Sequence, residues 1–336
     1  MDSLSQLALG SAIGVAVMGR RTAVWKAALW GGVAGTLPDL DALIDFGDAV
    51  ANMTYHRAQS HGLFYLTLFS PLLAWLVSRI HGEAALFKRW WLALWLALFT
   101  HPLLDWFTIY GTQLWQPFSE EPLGLGSMFI IDPLYTLPLL IGVIVALSLK
   151  SANGLRWNMI GLGLSCAYLV WSAIAQQQVL GVAREALRQQ NIVVDRMFAT
   201  PSPLNTVLWR VVGMQKDGYV EGFYSMLDAD KTVRFDTFPH DSALYEKTKA
   251  LWAVDRMAWF TDGFFRIKER DGKVTLADLR MGQEPNYVFE FAVAERRGER
   301  FAEVRPTMAV GQRGDPSAGL AWIWQRLKGN VIPPPR

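Results

Sequence analysis

Three of the five histidines in this 336-residue sequence stand beside carboxylates, in short motifs within the first 105 residues. The motifs are LPDLD at residues 37–41, HRAQSH at 56–61 and HPLLD at 101–105. Imidazole and carboxylate groups are the ligands that divalent ions such as Zn²⁺ and Mn²⁺ prefer in proteins. The motifs therefore predict a divalent metal site, with zinc as the favoured ion and manganese as the alternative.

The spacing within the motifs is compatible with a shared centre. His101 and Asp105 are four residues apart, so both project from one face of a helix. Asp39 and Asp41 can both reach a common point only if the turn after Pro38 is not helical. The candidate ligands in these motifs are Asp39, Asp41, His56, His61, His101 and Asp105, which are enough for one metal ion or for two that share a bridging water.

His56 and His61 are five residues apart and would lie on different faces of one helix. They converge if a helix starts between them, with Ser60 as its N-cap. Each motif alone also fits a structural role, such as a carboxylate at a helix end or a His101 side chain bonded to a backbone carbonyl. The two remaining histidines, His81 and His240, fit surface positions.

Charge is distributed unevenly along the chain. Residues 1–180 carry 19 charged side chains and 10 of the 15 tryptophans, whereas residues 181–336 carry 43 charged side chains. This division indicates a membrane domain followed by a water-soluble domain. The net charge of +2 gives no general attraction for nucleic acid. The single cysteine, Cys166, excludes an intramolecular disulfide.

Six apolar segments predict an α-helical membrane bundle of about six helices, within a metal-site domain of residues 1–178. Four of the segments are long enough to cross about 30 Å of hydrocarbon. The first two are shorter, and each contains a G-x-x-x-G pattern that lets two helices pack closely. The segments are approximately residues 4–19, 25–43, 62–80, 90–109, 129–149 and 157–176.

Basic residues occur in every second connection, which predicts a multi-pass membrane protein with those connections in the cytoplasm. The three motifs and everything after residue 178 would then lie outside the cytoplasm. The basic residues are Arg20, Arg21, Lys26, Arg79, Lys88, Arg89, Lys150 and Arg156.

The C-terminal part predicts a helical connector at residues 179–192 and a small α+β soluble domain at 193–336. The domain is mostly antiparallel β, because β-branched and aromatic runs alternate with Asp-Gly and similar turns. Helices are expected near residues 242–259 and 317–327. The predicted strands are 206–214, 219–227, 232–238, 264–270, 274–281, 287–294 and 301–305.

Five motifs resemble, in order, those of the membrane-bound, metal-dependent hydrolases of bacteria, the YdjM-like inner-membrane proteins. They are MDSLSQLALGSAIG, GTLPDLDAL, HRAQSHG, THPLLDWFTIYGTQLWQPFS and FIIDPLYTLP, over about residues 1–150. The resemblance implies a metal-dependent hydrolase, similar in chemistry to zinc-dependent phospholipase C, with the same six ligands. Many relatives carry a Thr-His pair near the start, where this chain has Ser5-Gln6. This difference puts in doubt a second metal site that needs that histidine.

We therefore expect hydrolysis of a phosphoester in a lipid or envelope substrate by a metal-activated water. Asp41 or Asp132 would orient a ligating histidine or accept a proton, and Arg57 would bind phosphate oxygens. The expected partners are membrane lipids and a lipid-like phosphoester. Two alternatives stay open: a non-catalytic binding or regulatory membrane protein with a structural metal, and an ion or proton transporter. No oligomeric state is predicted.

Overall fold

The computed structural model describes residues 1–149 and 151–336. Lys150, one of the basic residues on which the predicted topology depends, lies outside the described residues. The described residues divide into two compact units. The helical unit comprises residues 1–44 and 56–173, and the β unit comprises residues 45–55 and 174–336.

The described residues contain ten α-helices, seven of which precede the first strand. They are α1 (Ser3–Met18), α2 (Val24–Thr36), α3 (Ala49–Tyr55), α4 (Leu63–Ile80), α5 (Phe87–Trp106), α6 (Pro133–Leu149), α7 (Ala152–Gln189), α8 (Ser242–Thr248), α9 (Trp252–Phe260) and α10 (Pro316–Leu327). Short 3₁₀ turns cover Leu37–Leu43, Gln59–His61 and Ala84–Leu86.

Each of the six apolar segments predicted from the sequence is helical, and they correspond to α1, α2 and α4 to α7. Only α4 and α7 are long and apolar enough to qualify as candidate membrane spans among the described residues. α1 and α6 are apolar but have 16 and 17 residues, fewer than the roughly 20 that the bilayer core requires. The predicted helical half is confirmed, whereas the prediction of six membrane spans is not.

Two helix ends differ from the predicted ones. α2 ends at Thr36 and is followed by a 3₁₀ turn, because Pro38 has no N–H for the next helical hydrogen bond. α7 continues through the predicted connector to Gln189. Its later residues Ala175, Val179 and Ala183 keep an apolar helical spacing and are fully buried in the core of the β unit.

The β unit contains two four-stranded antiparallel sheets, with strand orders β1-β2-β3-β4 and β10-β9-β6-β5, and a two-stranded ribbon of β7 and β8. The strands are β1 (Arg196–Pro201), β2 (Leu208–Gln215), β3 (Gly218–Ser225), β4 (Phe235–Pro239), β5 (Phe265–Arg270), β6 (Lys273–Asp278), β7 (Gly282–Gln283), β8 (Asn286–Tyr287), β9 (Glu290–Arg297) and β10 (Arg300–Ala309). The predicted α+β class with mostly antiparallel strands agrees with this topology.

Two parts of the β unit differ from the sequence prediction. β1 is not among the predicted strands, because its six residues, RMFATP, show no clear alternation of apolar and polar side chains. The predicted helix at 242–259 is interrupted, since Leu251 has an extended backbone and α9 begins after it. Neither glycine nor proline marks this break in the sequence.

Residues 45–55 belong to the β unit, although they lie within the predicted membrane domain. The Asp48 carboxylate accepts hydrogen bonds from the backbone N–H and the hydroxyl of Thr307, both at 2.7 Å. α3 packs against α9 and β10. The chain therefore enters the β unit between the LPDLD and HRAQSH motifs. It enters the β unit again after residue 173, whereas the sequence predicts the domain boundary after residue 178.

The G-x-x-x-G patterns form the contact between α1 and α2. A Cβ added at Gly10 would overlap the carbonyl oxygen of Gly31, and a Cβ added at Gly31 would overlap the carbonyl oxygen of Gly10. Gly35 also lies close to α1, where a Cβ would stand 2.6 Å from the Gln6 carbonyl oxygen. The predicted close packing of these two helices is confirmed, and it depends on residues without side chains.

We expect Gly10→Ala to lower the free energy of unfolding by about 1–3 kcal/mol, because the added methyl group must push two helix backbones apart. Thermal unfolding of the detergent-purified protein would measure the effect as a lower melting temperature. Gly163→Ala is the matched control, since that helical position has nothing within 4 Å of an added Cβ. Equal melting temperatures for the two variants would contradict the proposed backbone contact.

Candidate metal centre

Four side chains of the helical unit, Asp39, His61, His101 and Asp105, converge on one point and are called the four-residue cluster below. One ligand atom from each lies within 4.8 Å of the others. The two histidine Nε2 atoms are 3.1 Å apart. Each Nε2 is 3.3 Å from Asp105 Oδ2 and 3.5 Å from Asp39 Oδ1. Tetrahedral zinc, with bonds of about 2.0–2.1 Å, keeps its nitrogen and oxygen ligands about 3.3 Å apart, so these separations suit an enclosed ion.

Three segments supply the four ligands. His101 and Asp105 lie one turn apart in the last part of α5, as the i, i+4 spacing predicts. His61 ends the 3₁₀ turn at Gln59–His61, and Asp39 lies in the 3₁₀ turn that follows α2. The turn after Pro38 is a 3₁₀ helix and not the non-helical turn that would bring both carboxylates to one point, and only Asp39 of the two reaches the cluster.

The outer nitrogen of each histidine has a partner that directs its inner nitrogen toward the cluster. His101 Nδ1 is 2.6 Å from the Gly35 carbonyl oxygen, which can only accept, so Nδ1 carries a proton. His61 Nδ1 is 2.8 Å from the Ser60 hydroxyl, which itself donates to Asp41 Oδ2 at 2.5 Å. In the neutral form of both rings, Nε2 then presents a lone pair to the centre.

Asp105 is fully buried, and its two oxygens have different surroundings. Oδ1 accepts hydrogen bonds from the α-amino group of Met1 and from Gln6 Nε2, and Arg57 Nη2 lies 3.4 Å away. Oδ2, which faces the two histidines, has no hydrogen-bond partner among the described residues. A buried acceptor without a partner is costly, and a cation in the cluster would satisfy it. The donor set therefore fits a divalent metal ion.

Two carboxyl groups, Asp39 in the cluster and Asp41 beside it, have pKa values that favour the ionised state. Burial opposes ionisation of Asp39, but the neighbouring His101 and His61 imidazoles outweigh it and place the pKa of the Asp39 carboxyl well below its ordinary value. Burial likewise opposes ionisation of Asp41, yet His56 and His61 lower the pKa of its carboxyl. A metal ion must compete with protons for the imidazole nitrogens, so its binding depends on pH.

Two of the predicted ligands, Asp41 and His56, lie outside the four-residue cluster and pair with each other. Asp41 Oδ1 is 2.8 Å from His56 Nδ1. Asp41 Oδ2 accepts hydrogen bonds from the Arg57 backbone N–H at 2.9 Å and from Ser60. Asp41 thus contacts the cluster through Ser60 and His61. The expectation that Ser60 caps α4 is wrong, because Gly62 holds the N-cap position and Ser60 donates to Asp41.

The other two predicted catalytic residues, Arg57 and Asp132, differ in their position relative to the cluster. Arg57 is buried beside the cluster, where its guanidinium stacks 5.0 Å from the centre of the Tyr110 ring. Its Nε has no hydrogen-bond partner among the described residues. Asp132 precedes α6, where its carboxylate accepts hydrogen bonds from the Leu134 N–H and the Tyr168 hydroxyl. It is not one of the four converging ligands.

Of the two histidines expected at the surface, His240 is buried and His81 is half-buried. His81 Nε2 accepts a hydrogen bond of 2.7 Å from the Trp30 indole N–H. His240 is 9% exposed and packs against the Phe265 ring, and burial lowers the pKa of its imidazole. Sequence reasoning had no signal for either environment, because the aromatic partners come from other segments of the chain.

Gln6 has a place at the site that the sequence analysis did not foresee. The sequence suggested only that it is a poor metal ligand, whereas it donates to Asp105 at 3.1 Å. Gly35 is a second such residue, since its role comes from its backbone carbonyl. Every residue type has a backbone carbonyl, so the sequence cannot identify this acceptor and only the structure does.

Comparison with known proteins places the site within a family. Residues 1–179 match the family described as YdjM inner membrane protein. Over 139 residues the chain is 28% identical to the uncharacterised protein YfhP of Bacillus subtilis (strain 168), a match that covers 40% of this chain. The matched stretch spans 42% of the length of YfhP, less than half of that relative. No solved structure matches this chain.

We expect His61→Ala and His101→Ala each to abolish stoichiometric binding of a divalent ion, because each removes one of four converging ligands. His56→Ala should retain one ion per chain, since His56 is bonded to Asp41 outside the cluster. Metal analysis of the purified variants after equilibration with zinc would test this. Full metal content in both His61→Ala and His101→Ala would show that the cluster is not the metal site.

Proposed function

This chain belongs to the YdjM inner membrane protein family, and we propose that it is a metal-dependent membrane hydrolase that acts on a phosphoester. The family and the two candidate spans indicate association with the membrane. The observation that carries the proposal is the convergence of four ligand atoms, one of which is a buried Asp105 oxygen without a hydrogen-bond partner among the described residues. Such a centre fits zinc, with manganese as the alternative.

A bound divalent ion would lower the pKa of a water molecule from about 15.7 toward about 7 and so supply hydroxide at neutral pH. Within the chain, Asp41 fixes the His61 ring through the Ser60 hydroxyl. It also holds the Arg57 backbone by accepting its N–H, so one carboxylate positions both a ligand and the neighbouring arginine. Partners of this kind typically change metal affinity 10- to 100-fold when they are removed.

Arg57 supports the choice of a phosphoester as the substrate class. Its guanidinium is held by Tyr110 and Asp105, while Nε–H has no acceptor among the described residues. A buried arginine with a free donor next to a cation site suits an anionic oxygen, and its planar fork matches phosphate. Arg57 would therefore bind a non-bridging oxygen of the substrate and stabilise negative charge as hydrolysis proceeds.

A lipid or envelope intermediate is the proposed source of the phosphoester, with membrane lipids as the surrounding partners. Trp115 and Phe118, in the segment after α5, are 54% and 77% exposed. Aromatic side chains are enriched at the depth of lipid head groups, so these residues suit a site that a lipid head group enters. His56 is half-buried, packs against the Tyr110 ring and lies next to the cluster.

We expect the metal-loaded protein in detergent to hydrolyse at least one member of a panel of phosphomonoesters and phosphodiesters that includes phospholipids. Arg57→Ala should keep its metal but lose roughly 100-fold in kcat/KM, because one donor to the developing charge is removed. Arg57→Lys is the matched variant, which keeps the charge but not the planar fork. A metal-loaded wild-type protein without any hydrolysis would favour a structural metal in a binding or regulatory protein.

For topology, we propose a multi-pass protein of the bacterial inner membrane with the β unit outside the cytoplasm, as the distribution of basic residues favours. Alkaline phosphatase fused after Gln190 should then be active, because this enzyme requires export to fold. A fusion at Lys150 should be inactive. The opposite pair of activities, measured in intact cells at equal expression, would reverse the proposed orientation.

A further inference from the structure

Gln6 is completely buried in α1 and binds two groups that belong to metal-ligand residues. Its amide Nε2 lies 3.1 Å from Asp105 Oδ1 and 3.1 Å from the backbone carbonyl oxygen of His101. A primary amide carries two N–H groups, so both donors of Gln6 are used, one on each ligand residue. No other role in the proposed reaction has been assigned to this side chain.

We propose that Gln6 is a positioning residue that sets the orientation of the Asp105 carboxylate, an inference that rests on the proposed metal site. By holding Oδ1, Gln6 directs Oδ2 toward the two histidine Nε2 atoms, each 3.3 Å away. Without the amide, Oδ1 keeps only the Met1 α-amino group and Arg57 as partners, and the carboxylate turns more easily about its last side-chain torsion. Its ligand oxygen would then leave the centre for part of the time.

The backbone of the same residue lies against the partner of His101. A Cβ at Gly35 would stand 2.6 Å from the Gln6 carbonyl oxygen, and the Gly35 carbonyl oxygen accepts from His101 Nδ1. The contact between α1 and α2 therefore brings together the two groups that orient the α5 ligands. Gln6 of α1 binds Asp105 and Gly35 of α2 binds His101, so the contact between α1 and α2 positions both ligand residues of α5.

The unpaired end of the Gln6 amide supports a positioning role over simple packing. Gln6 Oε1 is buried and has no hydrogen-bond partner among the described residues. A glutamine that only filled space in a helical core would leave two polar ends to satisfy, and an apolar side chain would serve better. The amide is explained if its donors are needed at Asp105 and at the His101 carbonyl.

The test is a titration of the detergent-purified full chain with Co²⁺, in competition with a chelator and with the visible absorption spectrum recorded. Gln6→Met keeps a similar length and volume but has no donor, and it should weaken Co²⁺ binding 10- to 100-fold and alter the spectrum. Ser11→Ala is the matched control. It removes another buried hydrogen bond of α1, to the Ala28 carbonyl oxygen, and should change neither quantity.

Gln6→Leu provides a second variant if Gln6→Met does not fold, because its side chain also has no donor for Asp105 and fills much of the same space. The same weaker binding and altered spectrum are expected. Wild-type affinity and spectrum in either folded variant would overturn the role of Gln6 while leaving the metal site intact. Failure of the wild-type chain to bind Co²⁺ or Zn²⁺ would overturn the proposed function and the role of Gln6 together.

Discussion

Four electron-donating atoms held within a few ångströms of one another, mostly out of contact with water, repel one another unless positive charge lies between them. Two imidazole nitrogens and two carboxylate oxygens are in this situation in the helical unit. Protons can supply part of that charge, but a divalent ion satisfies all four atoms at once. The surrounding hydrogen bonds hold these atoms in place, because each outer partner turns a ligand inward.

The helices explain how such a cluster can be held. α5 contributes two ligands from one face, and the turns before α4 and after α2 contribute one each. The glycine contact brings α1 against α2, so that Gln6 and the Gly35 carbonyl lie where Asp105 and His101 need partners. Packing and chemistry are therefore linked: the small residues that permit close approach of two helices also position the groups behind the ligands.

The types of the ligands could be read from the sequence, but the selection among them could not. Spacing alone predicted that His101 and Asp105 share a face. The choice of Asp39 over Asp41, and of His61 over His56, depends on two 3₁₀ turns whose dihedral angles no residue pattern specifies. The residue type of Gln6 suggests only a poor metal ligand. Its contribution is a hydrogen bond to Asp105, which is distant in the sequence. α7 continues into the β unit with an apolar helical spacing, in a stretch where the sequence predicts a connector.

The central claim is that one divalent ion binds between Asp39, His61, His101 and Asp105. X-ray absorption spectroscopy at the zinc edge, on wild-type chain loaded with one equivalent of zinc, measures the bound atoms directly. We predict two imidazole nitrogens and at least two oxygens at about 2.0–2.1 Å, and no sulfur. A zinc environment made only of water oxygens, or one with a single imidazole, would contradict the proposed centre.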